Sequence, residues 1–393
     1  MVDNTHSLGT PVPPQAIPFP MSFQGNGFEY FKIASVNLAL TLLTLGLYSP
    51  WAKVRTRQYF YGNTLLDSAA FRYTAKPVTI LKGRLIAVAA LVVYLLAQRF
   101  FPVTVAPIAF VLALIAPWAI MRSLAFNYAN TEYRGLRFHL APDVKRAYWV
   151  YGPPSLAIAA LVASGSLFSP QPDVESVYPY MAVSFGGPLI YFALYPWFVA
   201  RGTQFAADHA RYGDASFNLS ATARHFYGYY VGNALLYLLA VAVMVGLFWG
   251  AAVVLGDEAR VSFWPTLPLS LSSLPAVLML AIGVAISACV MAFFKARGFN
   301  LVYNNLHMRG GVRLNANADV WRLARINIIN YFSILLTLGI AYPWARVRTT
   351  RYLASTFALI GATSLDGYVA RARQDDSATG EEIGEVFDLG IGL

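Results

Sequence analysis

Pro50-Trp51-Ala52-Lys53-Val54-Arg55 decides how this chain reads, because it recurs. Further copies are Pro117-Trp118-Ala119-Ile120-Met121-Arg122, Pro196-Trp197-Phe198-Val199-Ala200-Arg201 and Pro343-Trp344-Ala345-Arg346-Val347-Arg348. A decayed fifth is Ala292-Phe293-Phe294-Lys295-Ala296-Arg297, with Phe for Trp and no Pro. Each copy ends an apolar run. Residues four apart share a helix face, so each Arg can lie over its Trp. Trp belongs at the headgroup level, where Arg can snorkel toward phosphates. Proline has no N–H and bends a helix near that boundary. The set reads first as topology anchors and second as a cytoplasm-facing arginine ring for an anionic lipid or solute.

The segment after each copy is repeated as well. Eight residues past the Arg come Asn63, Asn130, His209, Asn305 and Thr356. Strand-like stretches come next: Phe71-Arg72-Tyr73, Leu136 to His139, Ser216 to Leu219 and Gly311 to Leu314. Phe23 to Tyr30 occupies the same slot at the start. The repeat predicts units at about 23–70, 71–135, 136–215, 216–310 and 311–370. Residues 1–22, rich in proline, read as a disordered leader, and residues 371–393 as an acidic tail.

The composition points to lipid. Of 393 residues, 57% are hydrophobic and 12% are charged, about half the charged share of a soluble domain. Strong apolar runs lie near 84–101, 103–121, 153–169, 178–200, 229–255 and 274–294, each about long enough to span. They pair as three transmembrane hairpins. Two shorter runs flank them, near 33–49 and 326–344. Most of the 29 lysines and arginines fall between the hairpins, outside their tips, so the basic segments and both termini are expected in the cytoplasm. The predicted fold is an all-α polytopic membrane protein: three hairpins plus two short flanking membrane segments in a parallel internal repeat. Short cytoplasmic strands could pair beneath it into a small sheet. The net charge of +10 is spread between apolar runs, which argues against nucleic acid and for anionic membrane lipids as partners.

The stretch Phe23 to Pro77, with L-T-L-x-T-L-G-L-Y-S-P-W-A-K-V-R-T-R-Q-Y-F-Y-G-N-T at its centre, resembles the YjgN-like family of bacterial inner-membrane proteins of unknown function. Leu336 to Arg348 and the ending Phe387 to Leu393 fit it too. The resemblance implies a bacterial inner membrane. It implies no activity and carries over no site residues.

No Walker loop, H-E-x-x-H or G-x-S-x-G is present in the sequence, so no enzyme activity, cofactor or metal is expected. The single cysteine, Cys289, cannot form an intramolecular disulfide. Acidic residues are missing from the strong runs, which argues against a carboxylate proton relay. The short runs carry Asn37, Thr41, Thr44, Asn327 and Asn330, polar groups that could line a path. Two function classes stay open: transport of a small solute, and a non-transport scaffold or anionic-lipid-binding role.

Overall fold

A computed structural model describes residues 17–167, 181–255, 274–309 and 311–361. Within them, strands and paired helices alternate. The first part of the chain runs β1 (Ile17–Phe23), α1 (Gly27–Leu43), α2 (Ser49–Gly62), β2 (Thr64–Leu66), β3 (Ala69–Tyr73), α3 (Pro77–Phe100), α4 (Val105–Ala129), β4 (Thr131–Tyr133) and β5 (Leu136–Leu140). It continues with α5 (Val144–Leu167), α6 (Gly187–His209), β6 (Ala210–Tyr212), β7 (Ala215–Leu219), α7 (Ala223–Leu255), α8 (Leu274–Asn304), β8 (Leu306–Met308), β9 (Val312–Ala316), α9 (Val320–Leu336), α10 (Tyr342–Ser355) and β10 (Phe357–Gly361). Every helix pair leaves the end of one strand and returns to the start of the next.

The strands correct the all-α expectation, because they form a closed antiparallel barrel of ten. Each strand pairs with its chain neighbour. β1 closes the ring by pairing with both β2 (Met21 opposite Leu66) and β10 (Phe19 opposite Leu359). The physical reason is cooperative. Strands of three to seven residues are too short to stand alone, but closure leaves no edge with unpaired N–H and C=O groups. Three of the four strand-like stretches lie within β3, β5 and β7, and the fourth enters β9 after Gly311. Residues 17–22, expected as leader, belong to β1, while the rest of that leader and the acidic tail fall outside the described residues. Phe23 to Tyr30 is also not a strand throughout. Asn26 caps α1 by accepting the N–H of Phe28 at 2.8 Å.

The barrel is filled. The last residue of each three-residue strand, Leu66, Tyr133, Tyr212 and Met308, points into a core shared with Leu136, Ala215, Val312 and Leu359. Two tyrosine hydroxyls are satisfied by the wall itself. Tyr133 Oη donates to the Leu66 carbonyl at 2.7 Å, and Tyr212 Oη to the Tyr133 carbonyl at 2.9 Å. Phe71 stacks on Tyr133 and Phe138 on Tyr212, both at 4.7 Å between ring centres. Burying aromatic bodies with bonded hydroxyls is a stable way to plug such a bore.

The helices rise from one end of this barrel and pack in chain order, with α1 against α10 completing the circuit. Among the described residues, four stretches are long and apolar enough to cross a membrane: Pro77–Phe100, Pro102–Ala129, Ala223–Leu247 and Val277–Asn304. At most 22% of the apolar window of any of them is buried within the protein. The expected middle hairpin corresponds to α5 and α6, but its tip lies outside the described residues. The two short runs form hairpins of their own. α1 turns back into α2, and α9 into α10, each through a Leu-Gly pair with left-handed backbone: Leu45 (φ 49°) with Gly46 (φ 91°), and Leu338 (φ 49°) with Gly339 (φ 96°). Glycine accepts this conformation readily, and leucine only under constraint. Both leucines are almost fully exposed, at 95% and 93%.

Candidate functional site at the mouth of the barrel

The helices reach the barrel through a linkage that recurs five times. The N–H of the residue just after each long strand donates to the carbonyl at the foot of the returning helix. The pairs are Gln24 to Asn63, Thr74 to Asn130, Ala141 to His209, Ser220 to Asn305 and Asn317 to Thr356, all at 2.9 or 3.0 Å. The acceptors are the residues found eight past each motif arginine. Their side chains turn back onto their own helices: Asn63, Asn130 and Asn305 donate to the carbonyl four residues earlier at 2.7–2.8 Å. The exit from helix to strand is therefore fixed on both sides of the peptide.

Between these helix feet and the filled barrel lies a cavity of about 480 Å³, within the usual range for small-molecule sites. Part of its lining is apolar: Met21 of β1, Phe60 of α2, Phe71 of β3 and Phe138 of β5. The rest of its lining is polar or amphipathic: Arg57, Tyr61, Thr64, Asn127, Tyr128, Thr131 and Tyr303. Tyr61, Tyr128 and Tyr303 each stand six residues beyond a motif arginine (Arg55, Arg122 and Arg297). The matching positions behind Arg201 and Arg348 are Ala207 and Ala354, both buried. The three tyrosines therefore come from α2, α4 and α8, and α6 and α10 contribute alanine at this level.

Arg57 is the charged group of this lining. Its Nη1 donates to Tyr73 Oη at 2.7 Å and to Asn127 Oδ1 at 2.6 Å, and its guanidinium sits 5.0 Å from the Tyr73 ring centre. Burial raises the Tyr73 pKa above the usual tyrosine value, and the Arg57 charge opposes that rise. Both partners of Arg57 are neutral, so its charge is oriented but uncompensated.

The residues singled out from sequence lie one level further from the barrel. Pro50, Pro117, Pro196 and Pro343 are all buried, and Trp51, Trp118, Trp197 and Trp344 are all half-buried. Arg55, Arg201, Arg297 and Arg348 are exposed and Arg122 is half-buried. Arg201 lies over the Trp197 ring at 5.5 Å, whereas Arg348 donates to Asn330 Oδ1 at 2.8 Å. Asn37 reaches the Ala52 carbonyl and Thr56 Oγ1, both at 3.4 Å, so it joins α1 to α2. Asn327 joins α9 to α8 through the Ala288 carbonyl at 3.3 Å. Thr41 and Thr44 donate to carbonyls four residues back in their own helix. None of these lines the cavity; Asn37, Asn327 and Asn330 join neighbouring helices. The tyrosines and Arg57 escaped the sequence reading, although a tyrosine recurring six past the motif arginine was a visible signal.

Known proteins bear on this arrangement. The chain is 26% identical over 360 residues to the inner membrane protein YjgN of Salmonella typhimurium, covering 84% of this chain and 86% of that one. It is 27% identical over 129 residues to the inner membrane protein YjgN of Escherichia coli O157:H7, covering 33% and 32%. No solved structure matches it. The profile described as bacterial protein of unknown function (DUF898) matches residues 18–386, and the chain belongs to that family.

Proposed function

We propose that this inner-membrane protein binds a small or amphipathic ligand in the cavity above the plugged barrel, and does not conduct solute along the barrel axis. The observation that carries this reading is the pairing of a filled bore with a cavity at its mouth. A transport path down the barrel would have to displace Tyr133 and Tyr212 from bonds made to the wall. The cavity's mixed lining, aromatic and apolar side chains beside Arg57, Asn127 and hydroxyl groups, suits a molecule with one apolar and one polar part. We read the five helical hairpins as five copies of one unit and the chain as multi-pass. The distribution of lysine and arginine favours a cytoplasmic barrel and cytoplasmic termini.

The test uses full-length protein in proteoliposomes and in native mass spectrometry. The expected result is no solute flux above protein-free vesicles, together with a retained mass that is lost in Thr131→Trp, which fills the cavity. Flux through the wild type that survives Thr131→Trp would overturn the binding reading in favour of transport.

A further inference from the structure

We infer that Ser49, Lys53 and Arg57 on α2, joined by Arg84 of α3, form a binding site for a phosphate-ester anion beside the cavity. Ser49, Lys53 and Arg57 succeed one another at four-residue spacing, so they form one stripe down the face of α2. The stripe ends at the cavity, because Arg57 lines it. Arg84 enters from the neighbouring helix and donates to Ser49 Oγ. Three cations are thereby gathered over about two helical turns.

The stripe gathers three mutually repelling cations, Arg57 and Arg84 both acting on Lys53. Three other arginines near the barrel are matched: Arg72 with Glu132 at 3.4 Å, Arg134 with Asp67 at 2.6 Å and Arg146 with Asp208 at 3.0 Å. Among the described residues no carboxylate pairs with Lys53, Arg57 or Arg84. Lys53 lies at the helix surface, where partial desolvation first, and then Arg57 and Arg84, disfavour its charge. Like charges held together without an anion are costly unless one arrives. A phosphate oxyanion fits the donor set: a compact ammonium, two planar guanidinium groups and a hydroxyl. The stripe also lies beside a helix that enters the membrane, within reach of a headgroup. Its continuity with the cavity rests on the proposed ligand binding there, since the remainder of the ligand would lie against the cavity's aromatic side chains.

The experiment reconstitutes the full chain in mixed phosphatidylcholine and phosphatidylglycerol bilayers and measures retained lipid by native mass spectrometry. The wild type is expected to favour phosphatidylglycerol. Lys53→Gln and Arg84→Gln are each expected to lower that preference about fivefold, and Lys53→Arg with Arg84→Lys to keep it. Added inorganic phosphate separates the sources. Displacement of the lipid assigns the site to free oxyanions as well, and persistence assigns it to the headgroup. An unchanged preference in the double Gln variant would overturn the proposal. Lys53→Gln alone, at an exposed position, keeps the test open if the double variant is not recovered. Thr131→Trp separates the two readings: loss of the cavity mass with the anion preference intact leaves the stripe standing without it. If the Gln variants lose the preference while the cavity mass stays, the two are distinct sites.

Discussion

Arg348 Nη1 donates to Oδ1 of Asn330 at 2.8 Å, whereas the corresponding Oδ1 of Asn37 is buried without a hydrogen-bond partner. The two asparagines are equivalent. Asn330 Nδ2 reaches the Ala345 carbonyl and Thr349 Oγ1, as Asn37 reaches Ala52 and Thr56. Asn330→Leu should therefore cost about 1–3 kcal/mol, because it removes three hydrogen bonds between α9 and α10, one of them from a charged donor. Asn37→Leu removes longer contacts and an orphan oxygen, so its cost should be smaller. Thermal melting in detergent ranks the two, and equal shifts would contradict this difference.

The barrel core should behave as a soluble core does. Leu136 is 2% exposed inside the barrel, while Leu85 on α3 is 50% exposed on an apolar helix. Leu136→Ala is expected to cost about 2–5 kcal/mol through lost burial and a residual void. Leu85→Ala should be close to neutral, since lipid replaces the lost contacts. A reversed order in melting temperature would be incompatible with a plugged barrel.

Closure is open to direct measurement. Phe19 lies opposite Leu359 across the β1–β10 pair, at a separation that a disulfide can bridge. In a Cys289→Ser background, Phe19→Cys with Leu359→Cys should cross-link under mild oxidation. Phe19→Cys with Ser216→Cys should not. Failure of the first pair, in protein that melts like the wild type, would mean an open sheet.

The short hairpins should end within the bilayer. A 17-residue helix is about 25 Å long, less than the hydrocarbon thickness of about 30 Å. Cysteine at Leu45 or Leu338 should resist a membrane-impermeant thiol reagent. Cysteine at Val103, 90% exposed at the tip of the α3–α4 hairpin, should react from the periplasmic side. Equal labelling at all three would rule out re-entrant hairpins.

Alkaline pH should weaken the cavity wall. Tyr73 has its pKa raised by burial, with Arg57 opposing. In the unfolded chain tyrosine loses its proton near pH 10, while the folded chain still holds it. Folding then binds the extra proton, so stability is full below pH 10 and falls as pH rises toward the folded value. Tyr73→Phe should flatten that decline in melting temperature between pH 9 and about 11. An unaltered slope would place the titration elsewhere.

Much of the helical layer could be read from the chain, because apolar runs of 17 or more residues and the lysine and arginine between them are long-range signals. The barrel could be read only in part. Five-residue strands such as Leu136–Leu140 left a trace, but three-residue strands such as Thr64–Leu66 are too short to show alternation. β1 was hidden by Pro18 and Pro20, residues that ordinarily argue against a strand. Prolines can sit there because residues 17–20 pair only with β10, the ladder to β2 beginning at Met21, so one edge of β1 needs no N–H donor at that point. The cavity was not legible, since Arg57, Asn127 and Tyr303 meet only once the barrel has fixed the helix feet. The arginine set drew attention through its regularity, which marks what every unit needs; a ligand site more often sits where the units differ.

The pairing of β1 with β10 also orders events during synthesis. β2 through β9 can each find a partner soon after emerging from the ribosome, because every successive pair is joined locally or by one helical hairpin. β1 meets β2 early, but its other edge must wait for residues 357–361, with every intervening membrane segment already in place. Such a late, long-range contact closes slowly. A chain that stops before residue 357 leaves that edge of β1 unpaired, and an unpaired edge is a template for pairing with another chain.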